Sequence, residues 1–415
     1  MRGLIRFLLP LVPLVMLAVA VWRRITGAEP PQALAERLGY LQAPQGQSIW
    51  LHGASNGEVA SARWVLERLL AEDRGLSVLV TCNTATARAM VQGWHLPRVT
   101  AAFAPLDLPG PLARVLRVWA PRLLLTVEAE IYPRRFAACA RAGIPVALIG
   151  ARMSERSYQG WTALQPVMAG ALGVVAMASA QDAASAQRLL ALGLPPDRQR
   201  PVCDLKAVAI RRLPPPVLPP QATRTRVLLA ASTHEGEETV VLDAFRTARA
   251  RFDHLILAPR HPRRADAVAA LITARGLTMA RRSSGAMPGA EEVFLADTMG
   301  EMDLWYARAG SCYVGGSLEF GSGLAPRGGH SPWEPARYGC AILHGPSVAN
   351  FAAAYATLAT AGAALTVGAT ESLAAALHDL DADRQAALTQ ACAQSLHGAD
   401  DGDMIFHEIL TWLQD

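Results

Sequence analysis

Residues 211–224, RRLPPPVLPPQATR, divide this chain more sharply than any other stretch. Five prolines fall within residues 214–220, and proline lacks the N–H that a helix interior or central strand requires. No regular element crosses such a run, so it reads as a stiff linker. Before it, the apolar runs SIWLH, SVLVTC, RLLLTV, PVALIG and GVVAMAS alternate with amphipathic stretches such as EVASARWVLERLL, PLARVLRVWA and QDAASAQRLLALG. After it the alternation restarts with TRVLLAAS, HLILAP, EEVFLA, CYVGG and CAILHG. Strands alternating with helices at this spacing build βαβ units and mostly parallel sheets. The expectation is an α/β protein with two Rossmann-like domains facing each other across a cleft. Their bounds are 27–213 and 225–400, with residues 214–224 between them. A last helix, 401–415, is expected to pack back on the first domain.

The segment 1–26 stands apart. The run FLLPLVPLVMLAVAVW, residues 7–22, is uncharged and flanked by Arg2, Arg6 and Arg23-Arg24. It is short for a membrane span, which needs about 20 apolar residues, and Pro10 and Pro13 would kink a helix there. A shallow anchor with snorkelling arginines fits it. A signal peptide, with the triplet Ala18-Val19-Ala20 as a cleavage site, is the competing reading. The net charge of +4 suits small anions or a membrane surface better than a nucleic acid, which is not expected as a partner. Six cysteines lie scattered in apolar surroundings, without C-x-x-C or Cys/His metal spacing, so buried reduced thiols are expected. Of 39 basic residues, Lys206 is the only lysine. In a composition that defaults to arginine, that position attracts notice.

The stretch His52-Gly-Ala-Ser-Asn-Gly-Glu58 poses the main chemical question. It contains G-x-S-x-G between a strand and a helix, the setting of a nucleophile elbow built on Ser55. Here, however, it follows the first strand of the domain. Small residues at a strand-to-helix turn also let a ligand approach the backbone, with Glu58 in the first helical turn and facing the cleft. Glu58 would otherwise serve only the helix dipole. Glu128 and Glu130 end another strand, and Arg260 follows Pro259 at the end of HLILAP, a position from which a guanidinium can grip phosphate. Met299-Gly300-Glu301 and Ser331-Pro332-Trp333-Glu334 each open a helix, where free amides suit an anion. ASTHEGEE carries Ser232 and reads alternatively as a capped helix start at Thr233.

IWLHGASNGEVASA, PRLLLTVEAEIYP, GARMSERSYQGW, DLKAVA, ASTHEGEE, LAPRHPRR, DTMGEMDLWYARA, VGGSL and RGGHSPWEPARYGCAILHGPSVANF occur in this order. Together they resemble the 3-deoxy-D-manno-octulosonic acid (Kdo) transferase family of lipopolysaccharide synthesis, over essentially the whole chain. The resemblance implies a GT-B glycosyltransferase with an N-terminal anchor helix at the cytoplasmic face of the inner membrane. It implies CMP-Kdo as donor, a lipid A precursor as acceptor, and no cofactor or metal. Glu58 then matches the general base, and Glu128 and Lys206 match residues that support the transition state. Pro259, Arg260, Met299, Gly300, Glu301 and Ser331 to Glu334 match the segments that hold the cytidylate. Further contacts to donor or acceptor are expected of Ser55, Glu130, Ser232, His261, Gly316, Ser317 and Asn350.

Three positions depart from the family pattern. Cys203-Asp204 replace a glycine and a small polar residue before Lys206, and Ser331 stands where asparagine is usual. Residues 319–326, EFGSGLAP, form an insertion between VGGSL and RGGH. These departures keep open a non-catalytic protein that binds a nucleotide sugar or lipid, beside the hydrolase built on Ser55.

Overall fold

The structure, a computed structural model, describes residues 18–414 except 20, 24, 28, 129, 215, 320–325 and 397–400. Most of the apolar run 7–22 lies outside these residues, as does most of the insertion 319–326. Among the described residues no helix is long and apolar enough to cross a membrane. The chain divides into two compact units. One runs to Ala209 and takes up the C-terminal segment from Asp400; the other comprises Ile210–Ala399.

In the first unit, strands β1 (Ser48–His52), β2 (Ser77–Cys82), β3 (Val99–Phe103), β4 (Leu124–Val127), β5 (Val146–Ala151), β6 (Met177–Ala180) and β7 (Gln199–Arg200) form one sheet. Their order is β3-β2-β1-β4-β5-β6-β7, and every pairing is parallel. β1, β2, β4, β5 and β6 are buried along their whole length, as the continuous apolar runs of a doubly covered parallel sheet require. The run GVVAMAS is strand only from Met177; Val174 is 36% exposed and precedes the sheet. The C-terminal helix Asp401–Gln414 inserts Ile405, Phe406, Ile409 and Leu413 into the same core as Trp64, Val65 and Leu69. Arg68 lies 3.9 Å over the Phe406 ring and is ion-paired with Asp403.

The second unit repeats the plan with β8 (Val227–Thr233), β9 (His254–Pro259), β10 (Met279–Arg281), β11 (Val293–Leu295), β12 (Ser311–Val314), β13 (Ala341–His344) and β14 (Ala364–Thr366). The order is β10-β11-β9-β8-β12-β13-β14, again parallel throughout. The helix Leu205–Arg212 runs into the first two residues of the proline stretch, and the described residues from Leu213 to Pro220 form no helix or strand. None of the six cysteines is in a disulfide, and all are buried.

In each sheet the chain passes from one half to the other at a central pair, β1 and β4 in one and β8 and β12 in the other. In open parallel sheets ligands collect at the carboxyl ends of such a pair, because the connections diverge there and leave a crevice.

Candidate functional site

The turn after β1 places Ser55 as N-cap of the helix Asn56–Ser61, with an extended backbone of φ −117° and ψ 167°. Its hydroxyl donates to Glu58 Oε1 at 2.8 Å, and the Ala54 N–H donates to Glu58 Oε2 at 2.8 Å. The geometry does not support the elbow expected of a hydrolase: Ser55 is unstrained, and its hydroxyl is committed to a carboxylate. His52, nearest in sequence, is buried and bonded to Thr81 and Glu130. Burial raises the Glu58 carboxyl above its ordinary value. The two hydrogen bonds offset part of that rise, and the charges of Glu128 and Glu130 add to it.

Glu128 directly follows β4 and adopts φ +56°, a left-handed conformation that costs a non-glycine residue about 1–3 kcal/mol. The strained backbone belongs to the residue whose Oε1 meets Lys206 Nζ at 2.7 Å. Lys206 lies in the first turn of the helix Leu205–Arg212. Asp204 accepts the N–H groups of Lys206 and Ala207 at 3.0 and 3.3 Å, and Cys203 is buried with its N–H on the Ala180 carbonyl. The unusual Cys203-Asp204 pair thus acts as a cap that starts the helix and delivers the lysine.

Glu130 differs from Glu58. Burial would raise it, but bonds from His52 Nε2 at 3.4 Å and the Tyr132 hydroxyl at 2.5 Å bring it below the ordinary carboxylate range. Asn83 Nδ2 bonds the Tyr132 oxygen at 3.0 Å. Beneath them, Trp50 Nε1 donates to Thr81 Oγ1 at 2.8 Å, and Thr81 faces His52 Nδ1 at 2.9 Å. The His52 ring is held neutral, at about 4, first by burial and then by the charge of Arg135. A neutral ring that accepts from Thr81 at Nδ1 carries its proton on Nε2, which donates to Glu130. Sequence alone marks out no role for His52, Thr81, Asn83 or Tyr132. Their only advance signal is that His52, Thr81 and Asn83 lie in or just after an expected strand end, and Tyr132 shortly beyond one. Two neighbouring carboxylates pushed in opposite directions are the arrangement acid-base sites use.

In the second unit Ser232 bulges out of β8 with φ +54°. Pro259 ends β9, and the exposed Arg260 donates its N–H to the Thr233 carbonyl at 3.0 Å. The helix after Met299-Gly300 starts only at Met302. Glu301 is its N-cap and binds Arg282 at 2.7 Å, while Met299 is exposed. Pro332 caps the short helix Trp333–Arg337; Trp333 is buried, Glu334 is exposed, and Ser331 Oγ accepts the Trp333 N–H at 3.3 Å. Gly316 has φ +68°. Ser317 is fully buried, its hydroxyl donating to Val314 O at 2.6 Å and accepting the Gly345 N–H. Asn350 Nδ2 holds the Arg327 carbonyl at 2.7 Å. Ser317 and Asn350 therefore secure the loops around the β12 end. His261 stands edge-on to His234, with centroids 5.8 Å apart. His234 and His330, also without an assigned role from sequence, lie beside it.

A family model described as 3-Deoxy-D-manno-octulosonic-acid transferase (kdotransferase) matches residues 32–209. The 3-deoxy-D-manno-octulosonic acid transferase of Bordetella pertussis is 35% identical over 78% of this chain and 77% of its own length. The protein of that name from Haemophilus influenzae is 29% identical over 82% and 81%. Among solved structures, UDP-GlcNAc 2-epimerase from Neisseria meningitidis bound to UDP-GlcNAc aligns with a TM-score of 0.59. That match covers 88% of this chain and 100% of the other at 13% identity, a likeness of fold alone.

Proposed function

The chain belongs to the 3-deoxy-D-manno-octulosonic acid transferase family, and from that premise we propose a single inverting displacement between CMP-Kdo and a hydroxyl of a lipid A precursor. It is a glycosyltransferase that transfers Kdo in lipopolysaccharide biosynthesis. Glu58 takes the proton of the acceptor hydroxyl as that oxygen attacks the anomeric carbon. The bond from that carbon to the phosphate oxygen breaks, and its electron pair leaves with the cytidylate. Lys206, oriented by Glu128, supplies positive charge to the reacting centre, and Arg260 supports the phosphate. No resident cofactor or metal enters these steps.

The observation that carries this reading is the contrast between Glu58 and Glu130. Burial and neighbouring charge make Glu58 a stronger base than an ordinary carboxylate, while Glu130 is held ionised by its donors. In the finer reading, the two units are the two domains of a GT-B enzyme. The segment 1–26 holds it at the cytoplasmic face of the inner membrane, where the lipid acceptor resides.

The test is direct. Purified protein, CMP-Kdo and tetraacylated lipid A precursor should give a product heavier by whole Kdo residues, and Glu58→Gln should abolish that mass shift. Release of no CMP above background by the native chain would favour the binding-only protein. Full activity in Glu58→Gln would remove the proposed base.

A further inference from the structure

Three loops at the carboxyl ends of β8, β9 and β12 bring three histidines together in the second unit. His234 follows β8, His261 follows β9, and His330 lies between β12 and β13. His234 Nε2 and His330 Nε2 are 2.9 Å apart, with ring planes within 8° and centroids 5.2 Å apart. Near-parallel rings so far apart, yet touching nitrogen to nitrogen, meet edge to edge and share an in-plane N–H···N bond. The pair lies across Gly316, where a Cβ would come within 3.1 Å of the His330 ring and 3.3 Å of His234.

The surroundings are cationic. Arg260, Arg327 and His261 act on His234, and Arg260 and His261 on His330; Arg263 and Arg264 act on His261. The Arg260 and Arg327 side chains are exposed and make no ion pair or side-chain hydrogen bond among the described residues. Glu237 is the carboxylate that faces both rings of the pair. Its oxygens already accept the N–H groups of His234, Gly316, Ser317 and Leu318 and the Tyr313 hydroxyl, at 2.7–3.1 Å. Glu238 is bound to Arg264 and Thr233, and Glu235 is exposed. The cluster therefore has positive charge to spare, and the two buried carboxylates beside it, Glu237 and Glu238, are already committed.

A shared N–H···N bond also sets a count. Two neutral imidazoles joined this way accept one further proton, which makes the bond charge-assisted. A second proton would place hydrogens on both facing nitrogens and break it.

We propose that His234 and His330 form a one-proton site coupled to phosphate, taking up a proton as a phosphate, the donor's diester or the free monoester, seats among His261, Arg260 and Arg327. The proposal deepens the reading of this unit as the cytidylate-binding one and rests on it. During transfer the pair returns its proton to the phosphate oxygen that leaves the anomeric carbon. The monoanionic diester thus departs as a monoanionic monoester, the pair returns to neutrality, and the acceptor proton resides on Glu58. Without the anion both rings stay neutral: burial lowers each, and the neighbouring arginines lower them further.

Calorimetric titration of the full chain with CMP at pH 8, in two buffers of different ionisation enthalpy, counts the protons. CMP is already dianionic there, its second pKa being about 6, so any uptake belongs to the protein. The native chain should take up close to one proton per CMP. His330→Asn and His234→Gln should each abolish the uptake and weaken CMP about tenfold or more, with cytidine affinity unchanged as the control for folding. CMP binding without proton uptake, or uptake that survives both substitutions, overturns the pair and leaves the donor reading standing. Inorganic phosphate that binds with uptake while CMP does not bind sustains the pair and removes the donor reading. Failure of both to bind overturns both.

Discussion

Lys206 Nζ lies 2.7 Å from Glu128 Oε1, although 78 positions separate them in the chain. Each is positioned by a local device, Glu128 by a left-handed backbone at the end of β4 and Lys206 by the Asp204 cap. The strain at Glu128 is placed where it aims a carboxylate at the only lysine in the sequence. Removing the ammonium leaves that carboxylate half-buried without its counter-charge. Lys206→Ala is expected to lower kcat roughly 100-fold. Lys206→Arg should recover only part, because a planar guanidinium cannot place its charge at the same point. Steady-state transfer kinetics decide it, and an alanine variant within about twofold of native would refute the role.

Ser55 tunes Glu58 in the structure, a role distinct from nucleophilic attack. Its hydroxyl is one of two donors that offset the raised carboxyl. Deleting it in Ser55→Ala should raise Glu58 further. A base works only when deprotonated, so the acid limb of the kcat/KM profile should move to higher pH while activity on the alkaline side persists. Loss of the N-cap should also cost about 1 kcal/mol of stability. A pH-rate profile that does not move, or an inactive variant at every pH, contradicts this tuning.

Gly150, in β5, has φ +58°, and a Cβ there would lie 2.8 Å from Leu205. Leu205 opens the helix that carries Lys206. Gly150→Ala should therefore lower stability by about 1–3 kcal/mol and reduce kcat more than it raises KM. Melting and kinetics measured together test it; unchanged kcat in a destabilised variant would show that the lysine tolerates movement of its helix.

Phe406, on the C-terminal helix, is fully buried among Trp64 and its neighbours. Phe406→Ala should destabilise the first unit by about 3–5 kcal/mol, read by denaturant titration. A cost below about 1 kcal/mol would mean that the helix does not belong to this core.

The strands visible as apolar runs are the ten at the interiors of the two sheets, together with their carboxyl-end turns. The four without such a run are β3, β7, β10 and β14, and these are the four sheet edges. Their residues are mostly half-exposed. A strand covered on one side only needs no continuous apolar pattern, so periodicity has nothing to detect. The same asymmetry holds in the sites. Glu58, Glu128 and Lys206 stand out because a charge at a strand end or a lone lysine is unusual in its local context. His52 and His330 look ordinary in theirs, since a single histidine in a loop carries no mark of its partner.

Two parallel α/β units and the turns that bear the acidic and basic groups follow from the order of residues alone. Burial period, proline geometry and capping all act within about a dozen neighbours. Which groups meet was decided only in three dimensions. Strand order sets β4 beside β1 and β12 beside β8, and this brings loops distant in sequence to common crevices. There Glu58 is raised and Glu130 lowered, and two imidazoles share a hydrogen bond. Electrostatic coupling depends on distance in space and on exclusion of water, and neither quantity is written in chain order.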